Sequence, residues 1–389
     1  MRWWIDSSKL SPDQENIISE IRNNPNNNYW IRGFAGTGKT IVLLHTMEQL
    51  SALYPDAKFC YITYTNSLVE LVYSSPGFKN LKDSVSVQTY YTFLSNKIVY
   101  DYVFLDEVQD VSTGKLQEIK NFSRFLVIAG DLDQQIYSDC LDYDEILSVL
   151  NPIQFDLLRI HRLTERLCNF SFTILPEAKD NIVSGLKVRN TNANATITLA
   201  HAKNETEEVA WVWDEARTRS QIGDPSALLF TTHDDLYRFA NYVCTLNSVN
   251  SPPRPQLYRG RRNYGKFNEY FCANNIPIRY LGGKSGTLGD SDSQRIIYLM
   301  TFYSSKGLDF DNVFIPFMTP KTVFLSKNKS ELDGRRLLFV GVTRSRQKLF
   351  ISYSGNELHP YFNQAKTFPD LMQISIDTTN NSDDDGDLF

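Results

Sequence analysis

The sequence predicts an α/β chain built from two parallel-sheet domains in tandem. Three observations carry that expectation. Short apolar runs alternate with helical patterns in both halves of the chain. A glycine-rich loop, Gly33 to Thr40, sits between one such run and one such helix. A later apolar run, "YVFLDEVQD", ends in paired acids.

The elements follow in order. "LSPDQENIISEI" reads as a helix, with Ser11 as N-cap and Pro12 at the first helical position. "NNPNNN" is the turn after it. "YWIRGF", "KFCYITYT", "YVFLDEV" and "FLVIAGD" are short enough and apolar enough to be buried parallel strands. The same rhythm restarts near residue 151. "ATITLAH", the helix-like "ETEEVAWVWDEARTR", "SALLFTTH", "IPIRYLGG", "RIIYLMTF", "NVFIPF" and "KLFISYS" follow one another. We therefore place a first domain at 1–150, a second at 151–370, and an acidic, disordered tail at 371–389.

Composition excludes several classes. At 389 residues with 42% hydrophobic and 13% aromatic content, the chain can build two sizeable cores. Its net charge of −5 argues against a protein coated in positive potential, though not against a local basic groove. The five cysteines are scattered with no CxxC pair, so reduced thiols are expected rather than a disulfide framework or a zinc site. No run approaches a membrane span and "MRWWIDSSKL" lacks a signal-peptide core, which predicts a cytoplasmic protein without membrane contact.

"GFAGTGKT" fits the phosphate-loop pattern G-x-x-x-x-G-K-[ST] in the strand-to-helix context that the pattern needs. Gly33, Gly36 and Gly38 let the backbone turn its N–H groups, that of Thr37 included, around phosphate oxygens. Lys39 supplies a point charge for the β- and γ-phosphates, and the Thr40 hydroxyl can hold Mg²⁺. A nucleotidase of this kind needs a second strand that brings a carboxylate to the metal. Asp106 fills that place. Glu107 is the candidate for orienting and deprotonating the attacking water. In "VIAGDLDQQIY" another strand ends at Asp131, and Gln134 is placed to touch the γ-phosphate. Gln109 and Asp110, directly after the acids, are expected to link that site to its surroundings and to brace the turn.

Taken in order, these segments resemble superfamily 1 helicases of the UvrD/Rep type. The resemblance rests on "LSPDQ", "GFAGTGKT", "YITYTNSLVELV", "VQTYYTF", "FLDEVQD", "GDLDQQIY", "LLRIHRLTERL", "TFYSSKGLDF" and "RRLLFVGVTRSRQKL". It implies two RecA-like domains with ATP and Mg²⁺ between them and single-stranded nucleic acid across their top. It implies that Gln14 reads adenine and that Arg162 and Arg344 reach the γ-phosphate as arginine fingers. His161 stands where a base-stacking Tyr is usual, and Gly307 and Asp309 belong to the nucleotide side, with Asp309 replacing a Glu. For the strand it implies Tyr64, Thr65, Asn66, Thr89, Tyr91, Tyr137, Ser304 and Lys306.

The chain also departs from the pattern. Ser138, Asp139 and Cys140 stand where an Arg-Trp-Arg run would stack a base. The connections after "VQTYYTFL" and after "IPIRYLGG" leave no room for the usual accessory domains. One insertion, "SPPRPQLYRGRRNYGKFNEYF", interleaves cations with rings; nucleic-acid contact, a solvated loop and partner docking all remain open for it. The tail "DDDGDLF" suits either solvation or docking. The leading expectation is an ATP hydrolase that translocates 3′→5′ on single-stranded DNA. The alternative is a nucleic-acid-sensing switch subunit that controls a partner effector such as a nuclease.

Overall fold

The computed structural model of the chain describes residues 4–73, 78, 85–132, 141–180, 187–190, 195–258, 261–283, 285–324 and 330–376. Strands β1 (Tyr29–Gly33), β2 (Phe59–Thr63), β3 (Val85–Thr89), β4 (Tyr100–Leu105), β5 (Ser123–Gly130) and β6 (Ile153–Leu157) form one sheet in the order β3-β2-β4-β5-β1-β6. Every neighbouring pair in it is parallel. After β7 (Arg159–Thr164) and β8 (Lys187–Asn190), which pair with each other, a second all-parallel sheet begins. It contains β9 (Thr196–Ala202), β10 (Ser226–Phe230), β13 (Ile278–Tyr280), β14 (Ile297–Thr301), β15 (Phe310–Ile315), β16 (Ser345–Ser354) and β17 (Leu371–Ser375). Their order is β13-β14-β10-β15-β16-β9-β17. Between β10 and β13 in sequence, β11 (Gln256–Tyr258) and β12 (Arg261–Asn263) pair antiparallel as a separate hairpin.

The sequence dictates these elements locally. The inner strands β2, β10 and β14 are buried at every position, as parallel strands covered on both faces must be. The first helix, Pro12–Asn23, starts in a capping box in which the Ser11 hydroxyl accepts the Gln14 N–H while the Gln14 side chain accepts the Ser11 N–H. It then buries Ile17, Ile18 and Ile21 against the sheet. Helix Glu205–Arg219 is capped by Asn204, with Glu205, Glu207 and Glu208 in its first turn and Arg217 and Arg219 in its last, in keeping with its dipole.

Two boundaries move relative to the sequence expectation. β6 pairs with β1 and completes the first sheet, so that sheet runs past residue 150. β17 pairs with β9, so the stretch from 371 opens with a strand of the second sheet. Residues 377–389, including the acidic end, lie outside the described residues. The insertion at 251–267 carries the β11–β12 hairpin rather than a plain loop. The helix Tyr90–Asn96 reaches β4 through residues 97–99 alone.

Each sheet has a core on either face, and one of these crosses between the domains. Leu68 and Leu71, on the first-domain helix Asn66–Tyr73, pack with Phe34 and Ala35 into the cluster that also holds Phe302, Leu308 and Val340. The second domain is thereby seated against the phosphate loop. Among the described residues no helix is long and apolar enough to cross a membrane, and Cys60, Cys168, Cys244 and Cys272 are unpaired.

Candidate functional site

The carboxyl ends of β1 and β4 point into the groove between the two sheets, where open α/β folds place ligands. The loop after β1 depends on two left-handed residues, Gly36 (φ 78°) and Gly38 (φ 88°). A Cβ on Gly38 would run into the Gln14 side-chain nitrogen. The helix Lys39–Leu53 then begins with Gly38 as N-cap and no side-chain cap. Its first N–H groups are thus unclaimed by a cap and face an anion-sized cradle.

Charges converge on this cradle. Lys39 Nζ donates to Gly33 O at 2.8 Å and to Phe34 O at 3.2 Å. Burial lowers the Lys39 pKa, while the carboxylates of Asp131, Glu107 and Asp106 pull it back up. The Thr40 hydroxyl donates to Asp106 Oδ2 at 2.6 Å, and the Tyr61 hydroxyl donates to the same oxygen at 2.8 Å. Burial and the neighbouring Glu107 charge raise the Asp106 pKa. Burial works against ionisation of Glu107 as well, but Lys306, Lys39, Arg344 and the Gln109 hydrogen bond outweigh it and lower its pKa. Of the two neighbouring carboxylates, Glu107 is therefore the one whose ionised form its surroundings favour. It holds a left-handed backbone (φ 57°), a costly conformation for a non-glycine residue and one that clusters at active sites.

Gln109 and Asp110 each have a distinct partner. Gln109 is fully buried. Its Nε2 donates to Glu107 Oε2, and its Oε1 accepts the Asp131 N–H at 3.2 Å. One amide thus ties the Glu107 carboxylate to the end of β5. Asp110 Oδ1 accepts from Lys306 Nζ of the second domain at 2.7 Å, with both side chains buried. Burial, opposed by Lys306, pushes the Asp110 carboxyl up to about 7, and its Oδ2 has no hydrogen-bond partner.

The second domain closes the groove. His161 N–H donates to Gly36 O at 2.9 Å, laying β7 along the phosphate loop. Arg162 bonds Asp309 and keeps two fifths of its side chain exposed. Arg344 is buried, with Nε on Val340 O at 2.9 Å and Nη1 on Leu308 O at 3.3 Å. A cleft lies between the domains. Gln14, Gly36, Gly38, Lys39, Thr40 and Glu107 line it from one side, and His161, Arg162, Gly307, Asp309 and Arg344 from the other.

Comparisons with known proteins agree with this geometry. A model of the UvrD-like helicase C-terminal domain matches residues 278–356, and a model of the type III restriction enzyme res subunit matches residues 7–129. R568 of Acanthamoeba polyphaga mimivirus, named for an ATP-dependent DNA helicase, is 22% identical over 285 residues, covering 72% of this chain and 38% of that protein. ATP-dependent DNA helicase Rep of Buchnera aphidicola is 43% identical over 127 residues, covering 32% of this chain and 17% of that one. The chain is similar to UvrD/Rep-like superfamily 1 helicases. It spans well under half the length of either of these relatives. Among solved structures, S. cerevisiae Dbp5 bound to RNA and ADP BeF3 superposes with a TM-score of 0.57 at 16% identity, covering 95% of this chain and 91% of that one. At that identity the likeness speaks for the tandem RecA-like fold alone.

Around this cleft the remaining expected residues sit as follows. Gln14 spends its side chain on protein, taking the Ser11 N–H at 2.9 Å and giving to Thr37 O at 3.1 Å. That pins the first helix to the phosphate loop and leaves one amide hydrogen for a base. Gly33 and Thr37 lie behind the cradle, with Thr37 Oγ1 on Phe34 O at 2.9 Å. Tyr64, Thr65 and Asn66 follow β2, Thr89 ends β3 and Tyr91 lies just beyond it, so both groups lie at the same edge of the first sheet. Thr89 caps the helix Tyr90–Asn96, while Tyr91 is half exposed and packs on the buried Tyr90 ring. Ser304 caps its own short helix with Thr301. Lys306, expected at the strand, is instead buried against Asp110. Its length lets it reach across the domain seam, and sequence spacing within one motif gives no sign of that partner. Gln134 and Tyr137 lie outside the described residues.

Sequence reasoning missed Ile5, Ala35, Ile41, Leu71 and Leu308, the apolar part of the cleft lining. Apolar residues in such runs look like core, so no local signal singles them out.

Proposed function

We propose that the chain is a nucleic-acid-dependent ATPase that moves along single-stranded DNA, 3′→5′, by opening and closing the cleft between its two domains. The carrying observation is that cleft itself: Lys39, Thr40 and Glu107 on one sheet face Arg162 and Arg344 on the other. Such an arrangement is complete only when the domains meet, so hydrolysis and domain closure are one event.

The roles follow from the contacts. The phosphate-loop amides and Lys39 bind the β- and γ-phosphates. Glu107, held ionised by surrounding cations, orients the attacking water and takes its proton. Arg162 and Arg344 stabilise charge on the γ-phosphoryl group from the second domain. Thr40 and Asp106 offer hard oxygen donors 2.6 Å apart on a buried anionic spot, which fits Mg²⁺ with water and phosphate completing its shell. When bound, that ion would supply positive charge against the phosphates. Tyr64, Thr65, Asn66, Thr89, Tyr91 and Ser304 would hold the strand. Gln109 connects Glu107 to the end of β5, and so carries the state of the nucleotide outward. Neither the fold nor the comparisons favour the switch-subunit alternative.

The test is steady-state ATP hydrolysis with single-stranded DNA, single-stranded RNA, duplex, and no nucleic acid. The expected result is several-fold stimulation by the single strand, abolished by Lys39→Ala. Equal rates under all four conditions would reject the motor reading.

A further inference from the structure

The insertion between β10 and β13 is not explained by the ATP cleft. Residues 251–268 carry five cations, Arg254, Arg259, Arg261, Arg262 and Lys266, and no acid, in a chain whose net charge is −5. Four of the five stand at described positions. Asp234 is the acid that meets them. It accepts from Arg254 at 3.1 Å and from Arg262 at 3.5 Å, and its single charge cannot neutralise both. Lys266 is exposed, as is Leu257 at the hairpin.

The segment is held firmly. Pro252 and Pro255 are buried, and the Tyr237 hydroxyl donates to Pro252 O at 2.8 Å. The Arg254 guanidinium lies 5.4 Å from the Tyr237 ring centre. At the hairpin base Tyr264 is fully buried, stacked on Tyr280 at 3.5 Å between ring centres and bonded to His233 Nδ1 at 2.7 Å. Asn268 clamps the backbone of Tyr280 from both sides, at 2.7 Å and 3.0 Å. A solvated loop would not be anchored in this way.

The anchor also locates the hairpin. Tyr280 ends β13, and two residues on, a Cβ added to Gly282 would stand 2.9 Å from Ser304 Cβ. Thr231 and His233 follow the end of β10, which pairs with β14. The basic segment is therefore joined, ring to ring and strand to strand, to the edge of the second sheet that carries Ser304.

We propose that this hairpin is a second-domain grip on the phosphate backbone of single-stranded nucleic acid, with Arg254, Arg262 and Lys266 as its charged contacts. The assignment rests on the motor reading above, since it extends the strand path from Ser304 onto the insertion. A grip anchored to the moving domain would shift with that domain when the cleft closes. Cations at this density act on phosphates without reading sequence.

The test is equilibrium binding of a fluorescent oligothymidylate to the full chain across a salt series. The variants are Arg254→Gln/Arg262→Gln/Lys266→Gln and a control, Arg254→Lys/Arg262→Lys. Losing three phosphate contacts should lower the slope of log affinity against log salt by about 2, at ~0.7 per contact for single strands. At low salt, affinity should fall about tenfold or more, while the lysine variant keeps the wild-type slope. Wild-type binding with an unchanged slope in the triple variant would overturn the hairpin assignment and leave the motor reading standing. No binding by wild type would overturn the motor reading, and the hairpin with it. An equal loss of affinity for oligoglutamate would make the hairpin a general polyanion site and overturn the nucleic-acid assignment. Lys266→Gln alone alters an exposed side chain, so a partial slope change there supports the reading independently of any folding defect.

Discussion

Replacing Lys306 with Met removes the positive half of the one buried ion pair described across the domain seam. Its ammonium lies 2.7 Å from Asp110 Oδ1, with side-chain exposures of 2% and 0%. At that distance and an effective dielectric of about 20, the attraction is about 6 kcal/mol. Desolvation of the two ions offsets much of it. Loss of one partner is a different matter, because Asp110 Oδ2 already lacks a hydrogen bond. Without Lys306 the buried carboxyl is stable only when protonated. Wild-type Asp110 is pushed up to about 7, and removal of the cation moves it higher. The sign follows from linkage. A carboxyl whose folded pKa is raised contributes stability below its unfolded value and loses it as pH rises through the folded value. Wild type and variant should therefore differ least near pH 6 and increasingly above pH 7, by about 1.4 kcal/mol per pH unit. At about pH 8.5 this proton alone accounts for about 2 kcal/mol, within a total loss of about 3–5 kcal/mol for a broken buried pair. The assay is urea unfolding of wild type, Lys306→Met, Asp110→Asn and the double variant at both pH values. The double variant should lose much less than the two single variants added together. Additive losses that do not change between the two pH values would refute the reasoning.

Three further outcomes follow from the contacts. Gln109→Ala cuts the amide link between Glu107 and the Asp131 N–H; ATP affinity should survive while stimulation by single strands drops several-fold, and full stimulation would move the coupling elsewhere. Gly38→Ala puts a side chain at φ 88° against Gln14; nucleotide affinity measured by titration should fall at least tenfold, with about 1–2 kcal/mol lost from stability, and near-wild-type binding would contradict the loop geometry. Burial pushes the His359 imidazole down to about 4; its contribution is present above pH 6.5 and lost as pH falls through 4, about 3 kcal/mol in full, so His359→Phe should flatten the acid limb of the unfolding curve, and an unchanged limb would exclude it.

Much of the cleft was legible because its chemistry is local. A loop that needs two left-handed glycines, a helix start without a cap and a strand ending in acids are each written in a few consecutive residues. Ser11, Pro12 and Gln14 likewise state their own capping box. What spacing could not show was pairing at a distance. The sequence places residues 153–157 in the second domain because no local pattern says which sheet a segment joins; they form an edge strand with Ile153 exposed, so their pattern is weak as well. Lys306 sits in a motif whose neighbours suggest the strand surface, yet its partner lies 196 residues away. Nothing local marks Leu68 and Leu71, although the core they join belongs largely to the other domain. The basic insertion was visible as composition, but its anchoring on Tyr280 was not.

The central claim is that two domains share one hydrolytic site, with Arg344 acting from the second domain on a nucleotide held by the first. Steady-state ATP hydrolysis by Arg344→Ala in saturating single-stranded DNA tests it most directly. The account predicts a kcat lower by about 10³ or more with KM changed little, as for loss of a charge used chiefly in the transition state. A kcat within about threefold of wild type, well short of what loss of such a charge costs, would contradict it.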